Sequence, residues 1–289
     1  MENKKTVKIL GTIQDGGLPQ AGCYCQYCDK ARERNYGKRY RASIALVDQE
    51  QKSWHLFEAT PDLAGQMDIV KDTYPEMGLM DSIFLTHGHI GHYTGLIYLG
   101  RETLSTKNIP VYAGKKMGEV LENHIPWKQL VELKNIELKK LEDSTPVNLG
   151  EGLQVIPIEV PHRNEYTETF GFILEGPRKK LLFIPDIDSW DNWKENLKKL
   201  IPNMDYLLLD ATFYSEDDTA IIAKPSEVPH PHVTKTMDLL QPFIDRGEVE
   251  VIFIHFNHNN PLVDPDSKET KEVERRGFKV AIEGMELEI

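Results

Sequence analysis

The chain has 289 residues, 40 % hydrophobic and 28 % charged, the balance of a folded globular protein rather than a disordered one. Its 46 acidic residues outnumber 34 basic ones, and a formal net charge of −12 argues against nucleic-acid backbones or anionic membrane as partners. The 3 cysteines, Cys23, Cys25 and Cys28, are an odd and crowded set that excludes a disulfide framework and points toward metal.

The opening MENKKTVKIL is basic but runs into a strand-like stretch with no cleavage-site pattern, so no signal peptide is expected and a cytoplasmic location is. No run reaches the roughly 18–20 apolar residues of a membrane helix. Strand-like runs follow at 7–13, 43–47, 54–59, 82–86, 110–113, 153–160, 170–174, 180–184, 206–209, 249–254 and 279–283. Helical patterns fall at 62–70, 92–101, 116–123, 190–200, 234–244 and 271–276. No repeat, low-complexity segment or linker divides the chain, which reads as one domain over 1–289. Strands with helices between them, but without strict alternation, predict sheets covered by helices rather than one doubly wound sheet.

Several strand-like runs end on polar residues, where a rigid scaffold presents ligands well. The strongest is Thr86-His87-Gly88-His89-Ile90-Gly91-His92, with three of the 10 histidines within six positions between a strand and a helix. Neutral imidazole is the commonest metal ligand, and this spacing lets the side chains converge on one spot. His162, Asp186 and His255 each follow a strand-like run. Singly, each is as well explained by a hydrogen bond or a turn.

Taken in order, THGHIGH, a strand and PH, LLFIPD and IFIH resemble the metallo-β-lactamase-fold hydrolases over nearly the whole chain. The resemblance implies an α/β (α+β) fold, a four-layer αββα sandwich with one or two metals at the sheet edges. It implies that His87, His89 and His162 hold the first metal, that His92 and His255 belong to the second, and that Asp186 bridges them. The family's HxHxDH turn has an aspartate where this chain has Gly91. Loss of that carboxylate is expected to weaken the second site, with Asp188 a candidate replacement or an exposed turn residue.

Cys23, Cys25 and Cys28 form CxCxxC, and a closed zinc site needs a fourth ligand, for which His258, three residues after His255, is the natural completion. A structural zinc would then staple a loop of about 16–30 beside the active site. Gly16-Gly17-Leu18-Pro19-Gln20 before the cysteines resembles two subfamilies of the fold, the PhnP-type phosphodiesterases and the coenzyme PQQ synthesis protein B family. The second is closer over GGLPQAGCYCQYC, Glu58-Ala59-Thr60-Pro61-Asp62-Leu63, His92-Tyr93-Thr94-Gly95-Leu96, Leu209-Asp210-Ala211-Thr212-Phe213 and Asn259-Asn260-Pro261-Leu262.

Softer candidates remain. Glu58 and Asp62 could orient ligand imidazoles or serve a helix start. Asp210 could bind water or substrate, or stabilise a turn. Pro229-His230-Pro231-His232 could line the substrate mouth or form a stiff turn. Tyr24, Tyr27, Trp54 and Phe213 read as packing, and His55 and His124 carry no catalytic assignment. The resulting expectation is a metal-dependent hydrolase of an ester or phosphodiester in a small molecule. Zn, Mn or Fe would occupy one or two active-site positions, Asp186 would hold metal and orient water, and His255 would stabilise or protonate the departing oxygen. The rivals are iron-dependent oxidation of a tyrosine-derived precursor in PQQ synthesis, implied by the second resemblance, and a non-enzymatic binding or carrier protein. A homodimer is left open.

Overall fold

Alternate residues of the central strands enter different cores, which fixes the layering. In the run 206–209, Leu207 and Leu209 face one buried cluster while Tyr206 and Leu208 face another. In 44–47, Ile44 and Leu46 join that second cluster while Ala45 and Val47 face a third. A period of two with both faces apolar is the signature of a sheet covered on both sides.

The structure is a computed structural model that describes residues 5–33, 38–216 and 228–289, and no helix among them is long and apolar enough to cross a membrane. One sheet holds β1 (Lys5–Gly11), β2 (Ser43–Asp48), β3 (Ser53–Phe57), β4 (Ser82–Phe84), β5 (Ile109–Ala113) and β6 (Ile136–Lys140) in that order. The other holds β7 (Val147–Gly150), β8 (Leu153–Glu159), β9 (Phe170–Glu175), β10 (Lys180–Ile184), β11 (Tyr206–Asp210), β12 (Glu250–Ile254) and β13 (Lys279–Val280). The chain then returns to the first sheet, where β14 (Glu286–Glu288) pairs antiparallel with β1. Phe57, Phe84, Phe172 and Phe183 fill the space between the sheets, with Phe57 and Phe84 stacked at 4.9 Å.

Helices close the outer faces. The helix α1 (Gln26–Arg32) packs through Cys28 and Ala31 on the second sheet. The first sheet is covered by α2 (Leu63–Thr73), the short α3 (Ile90–Tyr93) with the 3-10 turn behind it, α4 (Lys115–Asn123) and α5 (Trp127–Glu132). The second is also covered by α6 (Lys194–Leu200), α7 (Val233–Asp245) and α8 (Lys268–Arg275), which bury Leu197, Met237, Leu240 and Val273. The result is the expected αββα sandwich.

The differences from the expected elements have local causes. The helix expected at 92–101 is one α turn followed by a 3-10 turn over Thr94–Leu99. Gly95 donates to Ala59 O at 2.9 Å, and a Cβ there would meet Thr60 O at 1.9 Å, so this backbone is pulled onto the end of β3. The strands β6, β7 and β14 lie at or next to sheet edges with polar outer faces, so their alternation was weak in sequence. Tyr24 is 79 % exposed and lies over the Arg32 guanidinium, contrary to its assignment to packing.

The topology gathers strand ends. β10, β11 and β12 are parallel, so Ile184, Asp210 and Ile254 end at one edge. β3 and β4 are parallel too, and Phe170 N donates to Thr86 O at 3.0 Å, joining the two sheets at that edge.

Near it, Glu283 accepts a hydrogen bond from Tyr40 N at 2.5 Å, and burial pushes its carboxyl up to about 7 from an ordinary 4.5. The fold therefore holds a proton that the unfolded chain has already released between those values. The stability from this group is complete below the unfolded value and is lost as pH rises through about 7. Urea titrations at pH 5 and pH 8 are expected to show Glu283→Gln more stable than wild type at pH 8, by on the order of 1–3 kcal/mol, with little difference at pH 5. Equal pH slopes in the two proteins would show that Glu283 ionises normally.

Candidate active site

One turn and three further strand ends deliver the candidate ligands. The turn after β4 carries His87, His89 and His92, and a second segment, after β8, carries His162. Asp186 follows β10 and His255 follows β12. All but His89 are buried, and His89 is half-buried. His87, His89 and His162 offer ring nitrogens within 4.8 Å of one another. Nε2 of His87 lies 2.7 Å from Nδ1 of His89, which is itself 3.2 Å from Nε2 of His162.

A second donor group lies alongside, and part of it was not expected. His92 and His255 are joined by Asp15, from the loop after β1, whose Oδ1 is 3.0 Å from His92 Nε2 and 4.0 Å from His255 Nε2. Asp186 sits between the two groups. Its Oδ1 is 3.6 Å from His162 Nε2, while its Oδ2 is 3.0 Å from His92 Nε2 and 3.2 Å from His255 Nε2.

Buried partners fix each imidazole. His87 Nδ1 lies 2.8 Å from Thr86 Oγ1, and His92 Nδ1 2.6 Å from Glu58 Oε2. The other Glu58 oxygen accepts from Thr86 N at 2.8 Å, so one carboxylate steadies both ends of the turn. His255 Nδ1 lies 3.0 Å from Thr212 Oγ1, which donates to Asp210 Oδ1 at 2.8 Å. His89 Nε2 lies 3.5 Å from Glu165, leaving Nδ1 as its inward atom. Such contacts set tautomer and ring orientation in metal centres. Glu58 (φ 73) and His255 (φ 66) both have left-handed backbones, which side chains larger than glycine adopt at some cost and which cluster at functional sites.

The electrostatics are those of a cation site. Burial and the neighbouring His92 push the His87 imidazole well below its usual range. Burial and His162 bring His89 down to about 4. Burial alone would raise Asp186, but His255 and His162 hold it well below the usual carboxylate range. His255 Nε2 and Asp186 Oδ2 are buried with no partner in hydrogen-bonding geometry among the described residues. His92 is the exception: burial opposes its charge, but Glu58 and Asp15 outweigh it and raise its pKa well above the usual range. Neutral imidazoles at His87, His89 and His255 and a cation-seeking cluster of buried carboxylates around His92 fit one or two divalent ions of the zinc, manganese or iron kind.

Of the softer candidates, Glu58 orients a ligand as expected. Asp188 does not complete the second group: it lies 3.0 Å from His162 Nδ1 and accepts from Arg163 N. Asp62 touches no ligand imidazole and pairs with Arg41 at 2.8 Å. Asp210 lies one shell out, accepting from Ile187 N, Thr212 N and Thr212 Oγ1. His230 has a defined place that its sequence did not give: Nδ1 is 2.7 Å from Asp210 Oδ2 and 3.7 Å from Asp186 Oδ1. Burial opposes its charge, but Asp210 wins and raises its pKa. His55 pairs with Ser82 inside β3, at 2.8 Å, away from these groups. Asp15 gave no signal of its own in Gln14-Asp15-Gly16-Gly17; the missing carboxylate at Gly91 was the only hint.

The cysteines form a separate centre. Ligand atoms of Cys23, Cys25, Cys28 and His258 lie within 4.8 Å of one another, a spacing that a tetrahedral zinc with Zn–S of about 2.3 Å draws together. Burial pushes the Cys28 thiol up to about 12, so a cation is what would make it a thiolate at neutral pH. His258 Nδ1 is buried without a hydrogen-bond partner among the described residues.

Residues 53–256 match the Beta-lactamase superfamily domain. The chain is 27 % identical to coenzyme PQQ synthesis protein B of Methylococcus capsulatus, over 97 % of this chain and 99 % of that protein. Zn(2+)-bound PqqB from Methylobacterium extorquens has the same fold, with a TM-score of 0.76 at 24 % identity over 98 % of this chain and 100 % of that one. So does a diphosphatase of the PhnP family, with a TM-score of 0.69 at 22 % identity over 99 % and 97 %.

Elemental analysis is expected to find about one zinc fewer per chain in Cys25→Ser than in wild type, with the remaining metal unchanged. Equal zinc in the two proteins would rule out the cysteine centre. Glu58→Gln is expected to weaken metal at the histidine centre by roughly 10–100-fold, read by competition with a chelating dye.

Proposed function

The chain belongs to the β-lactamase superfamily, and on that fold we propose that it is a metal-dependent hydrolase of small organic esters or phosphodiesters. The observation that carries this reading is Asp186, a single buried carboxylate whose two oxygens face two histidine groups. His87, His89 and His162 would hold one ion, His92 and His255 the other, and Asp186 both. Ions so held supply Lewis acidity, lowering the pKa of water toward neutrality and polarising a scissile ester or phosphoryl oxygen.

The protein's own groups do the rest. Thr86 and Thr212 keep inward lone pairs on His87 and His255, and Glu58 holds His92 Nδ1 so that a bound cation would take the place of the inward proton. His255 serves as a ligand in this reading, not as the acid expected from sequence, because burial disfavours its charged form and Asp186 and Asp15 face its Nε2. His230 takes the acid's part: Asp210 favours its imidazolium, and its ring lies 5.5 Å from that of His162 and 6.1 Å from that of His255. It can therefore give a proton to a departing alkoxide.

Features at the rim support a small organic anion as substrate. Arg163 Nη2 lies 3.5 Å from His89 Nδ1, a cation beside an otherwise acidic centre. Ile90 and Tyr166, 66 % and 67 % exposed, flank His89 and offer apolar surface. A cleft of about 280 Å³ beside His230, lined by Trp190, Lys194, His232 and Lys235, offers room for a leaving group.

The relatives named for coenzyme PQQ synthesis support a second reading, oxygen-dependent oxidation of a tyrosine-derived precursor, for which an imidazole and carboxylate donor set suits iron. The binding-protein alternative loses its main support, since a carboxylate lies beside Gly91 after all.

Zinc- or manganese-loaded protein is expected to hydrolyse bis(p-nitrophenyl) phosphate, with kcat/KM falling by at least about 10³ in His87→Ala and in Asp186→Ala. Iron-loaded protein that consumes oxygen and hydrolyses nothing would replace this reading with the second. His230→Asn should lose on the order of 10²–10⁴ in kcat with an alkyl leaving group but far less with nitrophenolate, which leaves without a proton. Because the raised pKa keeps His230 protonated above the usual histidine range, activity toward alkyl esters should fall as pH rises through that value. Asp210→Asn should move this alkaline limb to lower pH, and an unmoved limb would discard His230 as the acid.

A further inference from the structure

A carboxylate and an absent side chain share one volume at the second donor group. A Cβ on Gly91 would lie 2.3 Å from Asp15 Oδ1, 2.6 Å from its Cγ and 2.7 Å from its Cα. Position 91 can carry no side chain while Asp15 stands where it does. We propose that Asp15, delivered by the loop after β1, is the carboxylate ligand of the second ion, and that Gly91 is the residue that admits it. The inference rests on the two-ion reading above.

A charged His92 would pair with Asp15, but it faces three carboxylates, Glu58, Asp15 and Asp186, and cannot balance them alone. An imidazole has at most two N–H donors. Nδ1 of His92 is taken by Glu58 at 2.6 Å, and Asp15 and Asp186 both approach Nε2 at 3.0 Å. One proton cannot satisfy two carboxylates that converge on the same nitrogen, whereas a divalent cation between them and His255 would satisfy all four groups.

The loop is built to hold Asp15 there. Gln14 N donates to Phe256 O at 2.9 Å, next to His255 in the chain. Arg41 Nε donates to the Asp15 carbonyl at 2.6 Å, and Arg41 is itself held by Asp62 at 2.8 Å. Asp62, which touches no ligand imidazole, thus acts on the centre through Arg41 and the loop.

Metal content and Mn²⁺ affinity, measured by elemental analysis and calorimetry on wild type, Asp15→Ala and Asp15→Asn, test the proposal. Both variants are expected to keep the cysteine-held zinc and the first ion, and to bind the second ion on the order of 100-fold more weakly. Wild type loaded with Mn²⁺ is expected to show a spin-coupled pair by EPR, and the variants single-ion spectra. Asp15→Asn keeps the volume of the side chain, so a loss there reports the carboxylate rather than packing. The reciprocal variant Asp15→Gly/Gly91→Asp returns the carboxylate to the turn; the Cα at 15 still lies 2.7 Å from the new Cβ, so the loop, freed of its side chain, has to move back from the turn, and recovery of the second ion would support the exchange. Unchanged second-ion affinity in both Asp15 variants overturns the proposal while leaving two ions in place. A wild type that binds only one ion beside the cysteine-held zinc overturns the two-ion reading and the proposal together.

Discussion

Asp186 is buried to 3 % exposure at the end of β10, with an imidazole nitrogen within 4 Å of it on every side that matters to the site. A carboxylate so placed is tolerable only if positive charge balances it; burial works against charging His87 and His255, while His92, which does favour its charge, must also serve Glu58 and Asp15. That single conflict organises the centre. It accounts for the inward lone pairs, for the outward N–H groups tied to Thr86, Glu58 and Thr212, and for the left-handed backbones at Glu58 and His255. Each is a local expense that makes sense if a divalent ion completes the arrangement.

The N-terminal loop links two centres that would otherwise be independent. Ile13 bridges to both Arg41 and Phe256, and the loop carries Asp15 before it reaches the three cysteines. The segment after β12 faces the same way, with His255 in the histidine centre and His258 beside the cysteines. A zinc held by the cysteines would therefore fix both strands of this junction at once. Asn260 secures the segment from behind, donating to Ala211 O at 2.7 Å and accepting from Leu262 N at 2.9 Å.

The acidic surface and the acidic centre are one electrostatic design. With a net charge of −12, the protein gains little from attracting anions at long range. On the reading proposed above, recognition of an anionic substrate would come from bound cations and from Arg163 at close quarters, where the local field outweighs the global one. His230, proposed as the acid, is set against Asp210 and lies outside the two histidine groups that Asp186 joins, though its ligand atom also clusters with those of Asp186 and Asp210.

Sequence by itself carried the β-rich runs with helices over them, the histidine turn and the cysteine cluster, because each is written locally as a short apolar run or as donor spacing: Tyr206 to Leu209, His87 to His92, Cys23 to Cys28. The four-layer sandwich and the grouping of His162, Asp186 and His255 with the turn came from the resemblance to a family. Glu58 was legible only as one of two readings, orienting group or helix start; the fold sets the end of β3 beside the turn after β4, its parallel neighbour in the sheet. Only the tertiary structure decided how the second group is completed. Asp15 and Gly91 are 76 positions apart, and neither looks functional alone; they meet because β1 and the turn after β4 end at the same edge of one sheet. His230 needed the fold for the same reason. Its proton-carrying role comes from Asp210 on another element, and a pKa is set by neighbours in space that a linear pattern does not encode.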